Sequence, residues 1–228
     1  MINMDHNIEK IREIVADILV CKTHDMDHTN RVYNISLYLA SHEQDVDLGI
    51  LKPAVLLHDI GRIKEDSDNS GNTDHATIGA KMAGEILLNF NYSNEDIDKI
   101  SHCISAHRYR GEIKAETIEA KILFDADKID VLGAIGLARS FTSNGQYGQI
   151  MYTEQSVEEY VKENFVEGKI TGRIKDPHKH SPQMEYETKF KFISNKLYTE
   201  KGKQVAKERL EYMSDFFKRL KQEIAGEF

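Results

Sequence analysis

The segment Leu51-Lys-Pro-Ala-Val-Leu-Leu-His-Asp-Ile-Gly-Arg62 decides how this chain is interpreted. Leu51, Ala54, Val55 and His58 share one face at helical spacing, so the pattern predicts that His58 points inward from the last turn of a helix. Pro53 suits the first turn of that helix, and Gly61 suits the positive-φ position that often ends one. A buried helix would therefore end on two side chains that bind metal ions well. The alternative is a core histidine capped by its neighbour, and partners elsewhere in the chain decide between the two.

The composition is that of a helical protein. The 228 residues are 40% hydrophobic and 30% charged, with no Trp and only 3 Pro, a mixture that favours helices. The net charge of −8 argues against a general binder of nucleic-acid polymers, which needs a basic face. There is no apolar run long enough for a membrane span and no signal-peptide pattern, so we expect a cytoplasmic protein without a membrane partner. The two cysteines, Cys21 and Cys103, have the spacing of neither a disulfide framework nor a metal pair.

Apolar residues at helical spacing recur along most of the chain. The predicted helices cover residues 5–20, 26–42, the segment that leads into His58, and residues 74–90, 94–107, 114–129, 131–141, 154–167, 183–198 and 200–225. The predicted loops cover residues 64–73, 142–148 and 168–182, and the tail histidines His178 and His180 are expected to be solvated. We find no internal repeat and no convincing strand. The expected fold is all-α, a single domain over residues 1–228 with a metal-site core over about 24–140 and a helical extension over about 141–228.

Several of these helices carry a metal-ligand side chain on the apolar stripe near one end. The positions are His28, His58, Asp59, His75, His107 and Asp127. Buried polar groups need partners, so this many positions together favour a shared site over isolated core histidines. Two imidazoles with two carboxylates suit a divalent ion such as Mn, Fe, Co, Ni or Zn and leave room for water and a substrate oxygen. A closed structural zinc site is the alternative, but such a site more often uses cysteines.

The ordered set of motifs resembles the signature of the HD-domain metal-dependent phosphohydrolases, and within them a branch of small soluble proteins. The matching stretches lie within about residues 24–140 and are Asp25-Met-Asp-His28-Thr-Asn-Arg31-Val32, Leu56-Leu-His58-Asp59-Ile-Gly61-Arg62, Asp74-His75-Ala76, Ser105-Ala-His107-Arg108 and Asp125-Ala-Asp127-Lys128-Ile-Asp130-Val-Leu-Gly133-Ala-Ile-Gly136. The resemblance implies an HD-domain helical bundle that holds one divalent ion, with Mn²⁺ favoured and Mg²⁺ also allowed, through His28, His58, Asp59 and Asp127. It also implies the reaction, because this branch is similar to a bacterial enzyme that cleaves nucleoside triphosphates to monophosphate and pyrophosphate. We therefore expect metal-activated water to attack phosphorus in a small phosphorylated substrate, with a nucleotide favoured.

Two departures from other HD proteins shape the expected substrate contacts. Some HD nucleotidases and guanosine-tetraphosphate hydrolases carry acidic residues soon after the HD pair, whereas this chain has Arg62 and Lys64 there, which suit phosphate oxygens. Two-metal HD phosphodiesterases add histidines between the HD pair and the final aspartate, where this chain has His75 and His107. We favour phosphate binding for both histidines, because the sequence offers no evident bridging carboxylate for a second ion. The expected catalytic residues are Asp59, Arg62, Lys64, His75, His107 and Lys128, and the expected substrate-binding residues are Arg31, Arg62, Lys64, His75, His107, Arg108 and Lys128.

Two alternative functions stay open. A two-metal cyclic-nucleotide phosphodiesterase would use His75 and His107 to hold a second ion. A catalytically idle metal- or nucleotide-binding sensor would use its helical tail to bind a partner.

The acids on either side of Asp127, Asp125 and Asp130, are expected on the helix surface or behind the ligands. The C-terminal helices either cover the core or pair two copies, and we favour a homodimer because self-association is common.

Overall fold

The computed structural model describes residues 4–19, 26–68, 70, 73–108, 113–170 and 172–227. Within these residues the structure is helical, and the β pairing is limited to an isolated bridge between Phe165 and Ile174. The α-helices are α1 (Met4–Ile18), α2 (Met26–Ala40), α3 (Leu48–Leu57), α4 (Arg62–Ser67), α5 (His75–Leu88), α6 (Asn94–Ala106), α7 (Ile118–Asp130), α8 (Gly133–Gln146), α9 (Val157–Asn164), α10 (Pro182–Thr188) and α11 (Glu200–Ile224). Short 3₁₀ segments cover Val166–Gly168, Pro177–Lys179 and Phe190–Lys196. The predicted all-α fold is confirmed.

The chain divides into two compact units. Unit 1 comprises Met1–Asp130 and Leu197–Gly202, and unit 2 comprises Val131–Lys196 and Lys203–Phe228. Every residue of the expected metal and substrate site belongs to unit 1. A single domain over all 228 residues stays a prediction. Among the described helices of both units, none is long and apolar enough to cross a membrane.

The central helix of unit 1 is α3, which packs against α1, α2, α6 and α7. Its residues Leu51, Ala54, Val55, Leu56 and Leu57 are completely buried. A helix surrounded by neighbours is apolar on every face, whereas the helices around it bury one stripe each. Because α3 lies inside the bundle, the pair that follows it, His58-Asp59, is placed in the interior as well.

The beginning of α3 differs from the prediction. The helix begins at Leu48, and Asp47 caps it by accepting a hydrogen bond of 2.8 Å from the Gly49 N–H. Pro53 therefore lies inside the helix and not in its first turn, and it removes one backbone hydrogen bond there. The helix that leads into His58 thus starts earlier than the pattern of its apolar residues indicates.

Gly61 is needed for close packing and not for a positive φ. Its φ of −72° lies in the right-handed helical region, which every residue type can adopt. A Cβ at this position would lie 2.1 Å from the carbonyl oxygen of His75 and 2.7 Å from the backbone nitrogen of Gly79. The prediction that Gly61 ends the helix in a left-handed conformation is therefore wrong. The glycine lets the turn after the HD pair lie directly against α5.

Other element boundaries also differ from the sequence pattern. The predicted loop over 64–73 begins as helix α4, and the predicted loop over 142–148 is largely the end of α8. In α4, Arg62 and Glu65 form an ion pair of 2.7 Å one turn apart, a local support for the helix. Asp74 caps α5 and Ser93 caps α6, since the side chain of each accepts a backbone hydrogen bond at the start of its helix. Asp25, the first residue of the first motif, lies outside the described residues.

Unit 2 has a small core of its own. Tyr160, Phe165 and Met184 are buried together, with further apolar side chains packed against them. His180 is also buried here. Both of its ring nitrogens have partners, since Nδ1 lies 2.5 Å from the Tyr160 hydroxyl and Nε2 lies 2.7 Å from Glu185 Oε2. The expectation of a solvated His180 is therefore wrong, whereas His178 is exposed as expected.

Candidate metal centre

Asp59 lies at the centre of a cluster of four buried histidines. The histidines and Asp59 are each at most 2% exposed. The Nε2 atoms of His28 and His58 each lie 3.6 Å from Asp59 Oδ2. The Nε2 atoms of His75 and His107 lie 3.7 and 3.6 Å from Asp59 Oδ1. The two oxygens of one carboxylate thus divide the cluster into an Oδ2 half, with His28 and His58, and an Oδ1 half, with His75 and His107.

Helix ends bring these side chains together. His58 follows α3, His107 follows α6, His75 is the first residue of α5, and His28 lies in the first turn of α2. Each histidine continues the buried stripe of its own helix, so the packing that buries the stripe also carries the imidazole inward. The inward direction that the sequence predicted for all four histidines is confirmed.

In the Oδ2 half, His28, His58 and Asp59 are close enough together to hold an ion, and the fourth predicted ligand, Asp127, contacts His28. His28 Nε2 lies 3.4 Å from both His58 Nε2 and Asp127 Oδ1. The outer nitrogens, the Nδ1 atoms that face away from Asp59, contact other groups. His58 Nδ1 donates to the Val55 carbonyl at 2.7 Å, and His28 Nδ1 contacts Asp130 Oδ2 at 2.8 Å. A neutral His58 therefore directs the lone pair of its Nε2 into the cluster.

The protonation pattern of the Oδ2 half fits a bound cation. Burial alone would lower the pKa of His28, but the Asp127 and Asp130 carboxylates outweigh it and raise the pKa to about 9. Burial lowers the pKa of His58 to about 4. Burial would raise the pKa of Asp127, but Lys128 and His28 hold it well below its usual range. Without an ion, a proton on His28 thus supplies positive charge between the Asp127 and Asp130 carboxylates. A divalent ion would replace that proton.

The Oδ1 half is a second group of potential ligands. His75 Nε2 and His107 Nε2 lie 3.3 Å apart, and together with Asp59 they are close enough to hold an ion. His107 Nδ1 donates to the Ile104 carbonyl at 2.6 Å, so a neutral His107 also directs the Nε2 lone pair inward. Burial lowers the pKa of His75 to about 4. Asp59 thus faces one histidine pair with each carboxylate oxygen, a position that the sequence pattern did not indicate.

The expected substrate cation Arg31 is engaged behind the cluster. Its Nε lies 2.7 Å from Asp130 Oδ1, and its Nη2 lies 3.1 Å from Asp130 Oδ2. Asp130 in turn contacts His28 Nδ1, so it lies behind a predicted ligand, and the alternative that it is a helix-surface residue is wrong. In this structure Arg31 thus holds the acid that orients His28.

The other expected cations also pair with acids, except one. Arg62 lies between Asp59 and Glu65, with its nitrogens 3.2 and 2.7 Å from their carboxylate oxygens. Arg108 pairs with Asp74, and Lys128 pairs with Asp127. Lys64 is exposed, and among the described residues its side chain has no ion pair with the cluster. The fold therefore brings Arg62, Arg108 and Lys128 to the site but not Lys64.

Two acidic residues have roles that the sequence pattern did not indicate. Glu65 Oε2 lies 2.9 Å from His75 Nδ1. The sequence indicated this position only through the spacing of three residues between Arg62 and Glu65, which suits an ion pair on a helix. Asp125 is completely buried and accepts hydrogen bonds of 2.9 and 2.7 Å from the backbone N–H groups of Tyr198 and Thr199. The expectation of a surface or ligand-backing role for Asp125 is wrong, because it ties α7 to the start of α11.

A helical bundle whose central helix ends on a buried His-Asp pair, with histidines and an aspartate from neighbouring helices around it, is the arrangement of an HD domain. The family model described as HD domain matches residues 26–132 of this chain, a range that contains all four predicted ligands. The chain therefore contains a region, residues 26–132, that matches an HD domain.

Individual relatives match over nearly the whole chain. Uncharacterized protein YpgQ from Bacillus subtilis is 26% identical over 224 residues, which is 96% of this chain and 94% of that protein. A crystal structure of an HD-superfamily hydrolase from Bacillus thuringiensis has a TM-score of 0.71 at 24% identity, covering 98% of this chain and 99% of that one. The crystal structure of B. subtilis YpgQ in complex with ADP has a TM-score of 0.70 at 23% identity, covering 96% of both chains. These structures are similar in fold to this chain over the shares covered.

Proposed function

We propose that this protein is a divalent-metal-dependent phosphohydrolase that acts on nucleotides, in the manner of a nucleoside-triphosphate pyrophosphohydrolase. The observation that carries the proposal is the convergence of four histidine Nε2 atoms on the Asp59 carboxylate, with Asp127 beside them. A bound ion, with Mn²⁺ favoured, supplies Lewis acidity that lowers the pKa of water and polarises a phosphoryl oxygen. The nucleotide is supported by the similarity to YpgQ, whose structure was determined with ADP.

The charges around the cluster support binding of an anion only after a metal is present. Five carboxylates (Asp59, Glu65, Asp74, Asp127, Asp130) and four cations (Arg31, Arg62, Arg108, Lys128) leave one excess negative charge when the histidines are neutral. One divalent ion reverses the sign of this local charge. Phosphate oxygens would then compete with the carboxylates for Arg62 and Arg108, whose guanidinium groups suit bidentate contacts.

Substrate screening of the purified protein tests the proposal. Nucleoside triphosphates, phosphomonoesters and cyclic dinucleotides would be supplied with Mn²⁺, and phosphate and pyrophosphate release would be measured separately. We expect pyrophosphate from triphosphates, loss of turnover on chelation, and no turnover in the double variant His58→Ala/Asp59→Ala. Unchanged turnover in that variant with added Mn²⁺ would overturn the proposal. Tight nucleotide binding without any product would indicate the idle sensor instead.

A two-metal cyclic-nucleotide phosphodiesterase is the second candidate, and the Oδ1 half of the cluster favours it. Asp59 offers one oxygen to each pair of histidines, which is the position of a carboxylate that bridges two ions. Metal analysis by mass spectrometry decides between the candidates. Two ions per chain, falling to one in His107→Ala, support the two-metal enzyme. One ion per chain, unchanged in that variant, supports a role for His75 and His107 toward the substrate.

A further inference from the structure

The Nδ1 atoms have the same kinds of contact in both halves of the histidine cluster. In each half, one histidine donates Nδ1 to a backbone carbonyl three residues earlier in the chain, as His58 and His107 do. The other histidine of each half points Nδ1 toward a carboxylate. His28 does so toward Asp130 at 2.8 Å, and His75 does so toward Glu65 at 2.9 Å.

The two carboxylates are also held in the same way. Asp130 is held by Arg31, with the shorter contact 2.7 Å long, and Glu65 is held by Arg62 at the same distance. Glu65 Oε1 also lies 3.6 Å from an Arg108 nitrogen. Glu65 thus occupies in the Oδ1 half the place that Asp130 occupies in the Oδ2 half.

The contact between Glu65 and His75 differs from its counterpart in one respect. The Nδ1 atom of His75 is inaccessible to water, and the nearby Glu65 oxygen lies off the direction of an aligned N–H···O bond. A buried ring nitrogen without an aligned partner costs stability, so a small rotation of the half-buried Glu65 side chain that aligns the pair is favourable. Hydrogen bonds in an active site are often poorly aligned until its ligands bind.

We propose that Glu65 is a positioning residue that accepts the Nδ1 proton of His75 and thereby keeps the Nε2 lone pair of His75 directed at the Asp59 Oδ1 side. A neutral imidazole carries one ring proton, so the nitrogen opposite the protonated one is an acceptor. The inference rests on the proposed function, because it assigns His75 a chemical role in that site. It adds that His75 presents an acceptor, which suits a cation, and not a donor, which would suit a phosphate oxygen.

Nitrogen NMR tests the tautomer without any need for turnover. Two-bond ¹H–¹⁵N correlation spectra of protein labelled at its 10 histidines distinguish protonated from unprotonated ring nitrogens. The difference from His75→Gln assigns the His75 signals. We expect the proton on Nδ1 in the wild-type protein, with and without EDTA treatment. A proton on Nε2 in the wild type would overturn the proposal whether or not the protein hydrolyses nucleotides.

Two substitutions at Glu65 separate its acceptor role from its charge. Glu65→Gln keeps an acceptor, so we expect the wild-type tautomer; Glu65→Leu removes the acceptor, so we expect part of the His75 population to carry the proton on Nε2. For Glu65→Leu we expect turnover to fall about 10–100-fold, the range for losing a group behind a ligand, with a smaller loss in Glu65→Gln. Glu85→Gln, an exposed change on α5, the same helix as His75, is the matched control and should leave tautomer and turnover unchanged.

The outcomes are separable. Loss of turnover in Glu65→Leu with an unchanged His75 tautomer would overturn the positioning role and leave the hydrolase proposal intact. A changed tautomer in a protein without turnover on any substrate would support the positioning role and count against the hydrolase. If Glu65→Leu does not fold, the wild-type and Glu65→Gln spectra decide: the Nε2 proton in either one overturns the proposal.

Discussion

Two buried histidine networks of this protein differ in what their ring nitrogens face. In unit 2, His180 has a close partner on each side, the Tyr160 hydroxyl at 2.5 Å and Glu185 Oε2 at 2.7 Å, and Asn164 donates to the same hydroxyl at 3.0 Å. In the Asp59 cluster of unit 1, the four Nε2 atoms face the carboxylate at 3.6–3.7 Å and one another at 3.3–3.4 Å. Both networks are buried and both contain carboxylates.

The difference lies in whether the network is complete without a ligand. Each ring nitrogen of His180 is within hydrogen-bond distance of one protein partner, which is what a stabilising polar network requires. In the Asp59 cluster each Nδ1 atom has a carbonyl or carboxylate oxygen nearby, while the Nε2 atoms converge on a shared carboxylate at distances too long for hydrogen bonds. Convergent acceptors around an acid favour a cation. Burial of a histidine alone therefore does not indicate a functional site, but the direction of its second nitrogen does.

The largest expected effect comes from removing the charge at the point of convergence. Asp59→Asn keeps the shape of the side chain but removes the carboxylate that all four Nε2 atoms face, so we expect turnover to fall more than about 100-fold, beyond the loss of an outer partner. Metal content after dialysis should fall with it. Glu185→Gln makes the same chemical change in the unit 2 network and should leave turnover within about twofold. Equal losses in the two variants would contradict the distinction between the networks.

Metal should stabilise the protein through the Asp59 cluster. At free Mn²⁺ about 100 times the dissociation constant, binding to the folded state alone adds about 2.7 kcal/mol to the free energy of unfolding. We expect this as a rise in Tm when Mn²⁺ is added to EDTA-treated protein, measured by scanning calorimetry. Asp59→Asn should remove the rise and Glu185→Gln should keep it. A rise of the same size in Asp59→Asn would place the ion elsewhere.

The unit 2 network should contribute to stability alone. Tyr160→Phe removes the hydroxyl between Asn164 and His180 and leaves their buried polar atoms without it, which costs roughly 1–3 kcal/mol. Urea unfolding should show this loss while turnover per folded molecule stays at the wild-type value. A decrease in turnover beyond the folded fraction would show that the network of unit 2 affects the active site.

A dependence of stability on acid pH is also expected in unit 2. Burial would raise the pKa of Glu185, but Lys189 and His180 outweigh it and lower the pKa to about 2, below the ordinary 4.5. Its stabilising contribution is therefore fully present above about pH 4.5 and is lost as the pH falls toward 2. The free energy of unfolding of Glu185→Gln should vary less than that of the wild type between pH 5 and 2. Parallel curves for the two proteins would show that Glu185 has no such role.

Much of the site could be predicted from local patterns. The spacing of apolar residues indicated the helices and the inward direction of the histidines, because both follow from the geometry of one helix. Glu65 could not be placed in this way, since the polar residues after Arg62 are typical of a loop. The partner of Arg31 was equally hidden, because Asp130 lies 99 residues further along the chain. His180 was misassigned because its partners come from two other segments.

The sequence by itself determined that an apolar helix ends on His58-Asp59 and that other helices turn histidines and an aspartate inward. These properties depend on residue type and helical period, which are local. Only the tertiary structure decided that Asp59 gives one oxygen to each pair of histidines, and that Arg31 and Arg62 hold acids behind the histidines. Hydrogen bonds and ion pairs act over about 3–4 Å, so their partners are chosen by the packing of distant segments and not by their order in the chain.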